Sequence, residues 1–121
     1  MKKSTKKINF KKFFDLNTRV AIYVPSTIEV NKPIDNSEYC KIVQNKLSLL
    51  FGGATTQDVL GSYICEDGSQ VNEIISIVYS FCSTEQLKKN IFEVINLCEY
   101  LKKEMTQESI LLEVNGKVKF I

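Results

Sequence analysis

Histidine is absent from this chain of 121 residues, and arginine occurs once, at Arg19. The absence of histidine removes the usual general base, the usual partner of a serine or cysteine nucleophile, and the commonest nitrogen ligand of a metal. We therefore expect no metal site and no cofactor. Small α+β enzymes commonly depend on histidine, arginine or a cofactor, so the chain is predicted not to be an enzyme.

Long apolar runs and C-x-x-C pairs are also lacking. No run approaches the roughly 18 residues that a membrane span needs, and the start has no apolar signal-peptide block, so a cytoplasmic protein is expected. The cysteines lie inside or at the edges of periodic segments, which favours reduced, buried thiols over a disulfide framework or a zinc site. They are Cys40, Cys65, Cys82 and Cys98.

Charge is distributed unevenly along the chain, whose net charge is +2. Residues 1–14 contain six lysines and no acid, and the rest contains ten basic and fourteen acidic residues. We therefore divide the chain into a basic arm, residues 1–18, and one domain, residues 19–121. The arm suits contact with an acidic partner, nucleic acid or an anionic membrane, although a solvated terminus also explains it. Its candidate contact residues are Lys6, Lys7, Lys11 and Lys12.

The segment Glu73–Met105 is the most regular part of the sequence. Its first nine residues are mostly β-branched or aromatic, which is typical of a central strand. Ser83 and Gln86 then have the spacing of a capping box, in which each side chain accepts from the backbone amide of the other residue. Apolar residues recur every three or four positions beyond it, so a long amphipathic helix is predicted.

Local patterns predict the other elements. A first helix over Ser37–Phe51 is capped by Asp35 or Ser37 and ends at Gly52–Gly53. Gly61, within a strand, indicates a bulge or a close backbone approach. The predicted strands are Arg19–Ser26, Val59–Cys65, Glu73–Phe81, Ser109–Val114 and Lys117–Ile121, with hairpin turns at Asp67–Gly68 and Asn115–Gly116.

The order of these elements is βαββαβ followed by one more strand that pairs back as a hairpin. This order predicts an α+β, ferredoxin-like split βαβ fold, an antiparallel sheet with both helices on one face. Right-handed crossovers put the first and third main strands in the middle of the sheet.

The two faces of the sheet are expected to differ. Val20, Ile22 and Val24 are assigned to the helix side, together with Ile75, Ile77, Tyr79 and Phe81. The open face then shows Ala21, Tyr23, Ile74, Ser76, Val78 and Ser80. Because this set contains no charge, we expect the face to be covered by a second subunit in a back-to-back homodimer, by the arm, or by a ligand.

Few residues indicate chemistry. The stretch Gly52–Thr56 could hold an anion with its amides and hydroxyls, or could simply end the helix, because phosphate-binding loops precede a helix. Tyr23, Tyr63 and Tyr79 could stack on a ring or pack, and Glu66, Asp67 and Glu73 could hold a cation or form a solvated hairpin. A nucleotide pocket would involve Tyr23, Gly53, Thr55 and Thr56.

The chain from Tyr23 to its end resembles small proteins of phages and mobile elements in low-GC Gram-positive bacteria, and the lysine-rich start lies outside this pattern. The resembling segments are YVPST at Tyr23–Thr27, LFGGATT at Leu50–Thr56, DG at Asp67–Gly68 and QESILLEVNGKVKFI at Gln107–Ile121. Proteins of this size and source are often inhibitors of host defence. The resemblance thus implies a protein that occupies a host effector or sequesters a nucleotide signal.

The sequence therefore predicts a homodimeric, non-enzymatic binding protein in the cytoplasm of a bacterial host, with inhibition of host defence as its most specific form. Its partner would be a host protein effector or a small nucleotide. Two alternatives remain open. One is a nucleic-acid-binding module that uses the lysine-rich arm and loses affinity steeply with salt. The other is a small dimeric α+β-barrel enzyme.

Overall fold

A computed structural model describes residues 8–29 and 32–121. A short 3-10 turn, Phe10–Lys12, precedes the first strand. The other elements are β1 (Thr18–Pro25), β2 (Thr27–Ile28), β3 (Lys32–Pro33), α1 (Ser37–Phe51), β4 (Thr55–Ile64), β5 (Gln70–Cys82), α2 (Thr84–Glu104), β6 (Leu111–Val114) and β7 (Lys117–Phe120).

The main sheet has five antiparallel strands in the order β4-β5-β1-β6-β7, and β2 pairs separately with β3. The first and third main strands, β1 and β5, are adjacent in the middle, as predicted. Both helices pack on one face and share a core with β1, β5 and β6. The ferredoxin-like α+β fold with a C-terminal hairpin strand is therefore confirmed.

The face of β5 that meets the helices is the opposite of the one predicted. The register pairs Ile22 with Val78, and directly paired residues of antiparallel strands share a face. Val78 and Cys82 are fully buried in the core, whereas Tyr79 and Phe81 lie on the open face. The assignment of alternate β5 residues from the sequence is thus wrong by one position.

Two buried serines explain this register. Ser76 and Ser80 are each only 2% exposed. The Ser76 hydroxyl donates to the Asp58 carboxylate at 2.6 Å and accepts from the Asn36 amide at 3.1 Å. The Ser80 hydroxyl donates to the Gly53 carbonyl at 2.6 Å. A hydroxyl with such partners can be buried at little cost, so serine does not mark the solvent face here.

The helix ends follow local signals. The capping box is confirmed: the Gln86 amide donates to the Ser83 hydroxyl at 3.1 Å, and the Ser83 amide donates to the Gln86 side chain at 2.9 Å. Helix α1 starts at Ser37 as predicted, but its N-cap is Asn36, whose side chain donates to β1 carbonyls instead of accepting from the helix. Gly52 ends α1 with a φ of 93°, which glycine adopts without strain.

Strands β4 and β5 are longer than predicted. β1 pairs with β5 only over residues 75–82, so residues 60–64 and 70–74 form a two-stranded extension of the described sheet, which we call the ribbon. Ile74, predicted on the open face, lies in the ribbon and is half-exposed. The polar residues 55–58, predicted as a loop, pair with residues 76–79 and form the start of β4.

Gly61 lies in the ribbon opposite Glu73, and the pairing continues through it without a bulge. A Cβ atom at Gly61 would lie 2.7 Å from the Cδ1 atom of Ile75. Of the two alternatives predicted for Gly61, the close approach is therefore confirmed and the bulge is wrong.

The four cysteines are free thiols, and Cys40, Cys82 and Cys98 are buried as predicted. Burial raises the pKa of the Cys98 thiol to about 12, so it stays protonated and packs as an apolar group. Cys65, beside the hairpin turn, is half-buried. In the part of the chain that the structure describes, no helix is both long enough and apolar enough to cross a membrane.

Candidate functional site

The sheet face opposite the helices, which we call the open face, is mostly aromatic and aliphatic. Phe81, Val118 and Phe120 are 51%, 49% and 70% exposed on it. By register, the charged strand residues of this face are Arg19 on β1, Glu73 on β5 and Glu113 on β6. The expectation of an uncharged open face is thus wrong, and most of the members of this face differ from those predicted.

Two cavities meet at Glu73, where the ribbon leaves the sheet. The larger, of about 640 Å³, lies between the ribbon and the β2–β3 segment, and its walls include Ser26, Thr27, Tyr63, Asn72 and Glu73. The smaller, of about 160 Å³, has Tyr23, Glu73, Gln107, Ser109 and Phe120 among its walls. The larger cavity alone has the volume of a small-ligand site. We call the two cavities together the Glu73 site.

The Glu73 carboxylate is the charged group of this site. Partial burial raises its pKa, because burial disfavours the ionised form. Within residues 8–29 and 32–121 it has no hydrogen-bond or ion-pair partner. A cationic group of a ligand would therefore find an uncompensated negative charge in the cavity wall.

Tyr23 and Gln107 are held in fixed positions beside Glu73. The Tyr23 hydroxyl donates to the Glu113 carboxylate at 2.8 Å, and this hydrogen bond, followed by burial, raises the pKa of Tyr23. The phenol therefore stays protonated. The Gln107 side-chain nitrogen donates to the carbonyls of Thr27 and Met105 at 3.0 and 3.2 Å, which leaves its oxygen as an acceptor for a ligand.

The ligand residues predicted from the sequence lie in three places. Tyr23 belongs to the Glu73 site. Gly53 and Thr55 line a separate cavity of about 450 Å³ near the opposite end of the open face. Thr56 pairs with Val78, so it is directed to the helix side, where its hydroxyl donates to the Gln44 side chain.

The predicted contact lysines are only partly described. Lys11 and Lys12 are exposed in the 3-10 turn, and the Lys12 ammonium lies 5.3 Å from the centre of the Phe13 ring. Lys6 and Lys7 lie outside the described residues. In the described chain, no three Cys, Asp or Glu side chains come close enough together to hold a metal ion.

Three residues near the open-face cavities were missed in the sequence. Gln107 lies in the loop after α2, where no pattern marks it. Glu113 is an acid inside the otherwise apolar strand β6. Arg19, the sole arginine, lies on a central strand. An isolated charge on an inner strand is the signal that could have revealed the last two.

Known proteins share this architecture at low sequence identity. A phage SAM lyase in complex with S-methyl-5'-thioadenosine aligns with a TM-score of 0.63 and 19% identity over 86% of this chain and 88% of that chain. A phage SAM lyase in the apo state aligns with a TM-score of 0.64 and 18% identity over 98% and 95% of the two chains. CutA from Synechococcus elongatus aligns with a TM-score of 0.50 and 12% identity over 86% and 80%.

This chain resembles a phage SAM lyase in fold. No protein-family model and no curated protein matches its sequence. The phage source of the lyase agrees with the resemblance to phage proteins, while identities of 18% and 19% establish the fold alone. The sequence predicted a non-enzymatic protein, on the premise that a chain of this fold without histidine is not catalytic. That prediction is overturned, because the chain is similar in fold, over most of its length, to an enzyme.

Proposed function

We propose that the chain is a phage enzyme that binds S-adenosylmethionine at the Glu73 site and cleaves it to S-methyl-5'-thioadenosine. The observation that carries the proposal is the Glu73 carboxylate, which is unpaired among the described residues and lies in the wall of both cavities. Its negative charge complements the positive sulfonium of this ligand. The fold shared with a lyase seen in complex with S-methyl-5'-thioadenosine supports the same class of ligand.

The chemistry explains why histidine is not needed. Release of S-methyl-5'-thioadenosine breaks the bond between sulfur and the γ-carbon of the amino-acid part, and the electron pair of that bond goes to sulfur. Sulfur then leaves as a neutral thioether, so no acid has to protonate the leaving group. A lyase consumes no water, and the carboxylate oxygen of the four-carbon fragment forms the new bond to the γ-carbon, which closes a lactone ring without any proton transfer. The protein has to orient the ligand and exclude water.

The other walls of the Glu73 site offer matching contacts. Tyr63 in the larger cavity and Phe120 in the smaller one supply ring surface for the purine, and both are exposed. The Gln107 oxygen and the Ser109 hydroxyl supply hydrogen-bonding groups for the amino-acid part. Because a bound ligand displaces water from the cavity, the attraction between Glu73 and the sulfonium is stronger there than in solution.

The test is incubation of the purified protein with S-adenosylmethionine, followed by chromatography and mass detection of S-methyl-5'-thioadenosine. We expect many turnovers per chain. The substitution Glu73→Gln keeps the size of the side chain and removes its charge, so kcat/KM should fall by about 100-fold, as for removal of one preorganised electrostatic group. Glu66→Gln is the matched control, because Glu66 is an exposed carboxylate in the turn of the same hairpin and should leave the rate unchanged.

Two results would contradict this function. One is binding of S-adenosylmethionine, measured by calorimetry, with no S-methyl-5'-thioadenosine released. The other is a Glu73→Gln variant that is as active as the unmodified chain.

In a bacterial host, such an activity would remove a metabolite that host methyltransferases require. We propose this depletion as the way in which the chain acts against host defence, in place of the occupation of an effector predicted from the sequence. The division at residue 18 and nucleic-acid binding by the lysine-rich arm remain predictions.

A further inference from the structure

The end of the open face remote from Glu73 carries a cation stacked on an aromatic ring. The Arg19 guanidinium lies 4.1 Å from the centre of the Tyr79 ring. Tyr79 in turn packs edge-on against Phe81, with ring centres 5.7 Å apart. A guanidinium supported by a ring in this way keeps its fork of N–H donors available for an anion.

The position of Arg19 is fixed through its backbone. Its amide donates to the Asn115 side chain at 2.7 Å, and its carbonyl accepts from the Asn115 amide at 3.0 Å. In the described part of the chain no carboxylate lies within ion-pair distance of Arg19. Glu113, an acid on the same face of the adjacent strand β6, is hydrogen-bonded to Tyr23. The guanidinium is thus oriented but uncompensated, which is the state of an arginine ready to bind a carboxylate or a phosphate.

A cavity of about 450 Å³ opens beside this stack, and its walls include Gly53, Thr55, Tyr79 and Phe81. Thr55 pairs with Tyr79, so its hydroxyl lies on the same face as Arg19. Phe81 is half-exposed and offers ring surface to a planar group. The cavity therefore combines an aromatic wall and a hydroxyl at a volume that suits a small ligand, and one of its wall residues, Tyr79, carries the Arg19 guanidinium on its ring.

We propose that this cavity binds a nucleoside phosphate, with the base against Phe81 and the phosphate on Arg19. Glu73 lies six residues from Tyr79 along β5, about 20 Å at roughly 3.3 Å per residue, so the ligand does not reach the Glu73 site. This second site is therefore independent of the proposed lyase activity. It retains Gly53 and Thr55 from the nucleotide pocket expected from the sequence.

The test is titration calorimetry of the full chain with AMP and with adenosine. AMP should bind at least about tenfold more tightly, because only AMP has a phosphate for the charge-assisted hydrogen bonds of Arg19. Arg19→Gln should lower the affinity for AMP to that for adenosine and leave the affinity for adenosine unchanged. Arg19→Lys should restore only part of the difference, because an ammonium lacks the planar fork.

The control is Lys41→Gln, which removes the same charge from the exposed surface of α1 and should not change AMP binding. Equal affinities for AMP and adenosine in the unmodified chain would overturn the site, as would an Arg19→Gln variant that binds AMP normally. Tighter AMP binding by Glu73→Gln would also overturn it, because the phosphate would then lie beside Glu73. If Arg19→Gln fails to fold, Phe81→Ala at an exposed position carries the test, and it should weaken both ligands.

Discussion

At the scale of single residues, the role in ligand binding that we propose for Glu73 opposes its effect on stability. Burial raises the pKa of the Glu73 carboxyl group, so the folded chain binds the carboxyl proton more tightly than the unfolded chain does. The stabilisation by this proton is complete below the unfolded pKa of about 4.3 and is lost as the pH rises through the higher folded pKa. We therefore expect Glu73→Gln to melt at a higher temperature than the unmodified chain at neutral pH, and with little difference near pH 3.

Thermal melts followed by circular dichroism at both pH values make this comparison. Glu66→Gln, at an exposed carboxylate, should match the unmodified chain throughout. A Glu73→Gln variant that is less stable than the unmodified chain at neutral pH would show that the carboxylate has a stabilising partner in the folded protein.

Residue detail was predictable only where its cause was local. The Ser83–Gln86 box depends on two side chains three positions apart, and it was read correctly from the sequence. The burial of Ser80 depends on the Gly53 carbonyl, which is distant in sequence. Alternating serine and apolar residues on β5 allow either face to be buried, and only the partners of Ser76 and Ser80 decide between the two.

At the scale of elements, the capping box of α2 is a direct target. Ser83→Ala removes the acceptor of the Gln86 amide, so we expect a loss of about 1 kcal/mol in the free energy of unfolding, measured by urea denaturation. Ser37→Ala, at the start of α1, should cost less, because its hydroxyl bonds only the Asp35 side chain. Equal losses for the two variants would show that the box does not stabilise α2 specifically.

Helix bounds were easier to predict than strand bounds for a physical reason. Helix α1 carries its own stop signal at Gly52, and helix α2 carries its own start signal at Ser83. Strands β2 and β3 contain two residues each and depend on pairing across a connection, including the bond from the Ile34 amide to the Ser26 carbonyl at 2.9 Å. The polar start of β4 is a strand because β5 pairs with it, which its own composition does not indicate.

At the scale of the whole molecule, the open face predicts self-association. The homodimer expected from the sequence remains a prediction, and the exposed aromatic residues of this face support it. We expect light scattering after size exclusion to give twice the chain mass of 13.8 kDa. Val118→Asp should give the monomer, because it places a charge within the contact face at a residue outside the Glu73 site.

Phe92→Asp is the matched control, because Phe92 is 76% exposed on α2, away from the sheet face. It should remain a dimer. A monomeric unmodified chain, or a Phe92→Asp variant that dissociates as readily as Val118→Asp, would reject the open face as the contact.

The fold was predictable at this scale, but the site was not. Local sequence patterns predict the order of the elements, and right-handed crossovers then leave one arrangement of the main strands. The Glu73 site combines β1, the ribbon and the loop after α2, so its members become neighbours only when the sheet has formed. In the sequence, Glu73 is grouped only with Glu66 and Asp67 of the same hairpin. In the fold, Glu66 and Asp67 lie at the turn, whereas Glu73 lies in the wall of both cavities.

The ribbon forms part of the candidate site but lies outside the central pairing of the sheet. Residues 60–64 and 70–74 pair outside the span of β1, yet they form one wall of the larger cavity at Glu73. The sequence and length of the ribbon can therefore vary without disturbing the register of the central strands. This holds when residues are added in cross-strand pairs, so that each side chain stays on its own face of the sheet. Ligand preference can thus diverge on this extension while the rest of the fold is preserved.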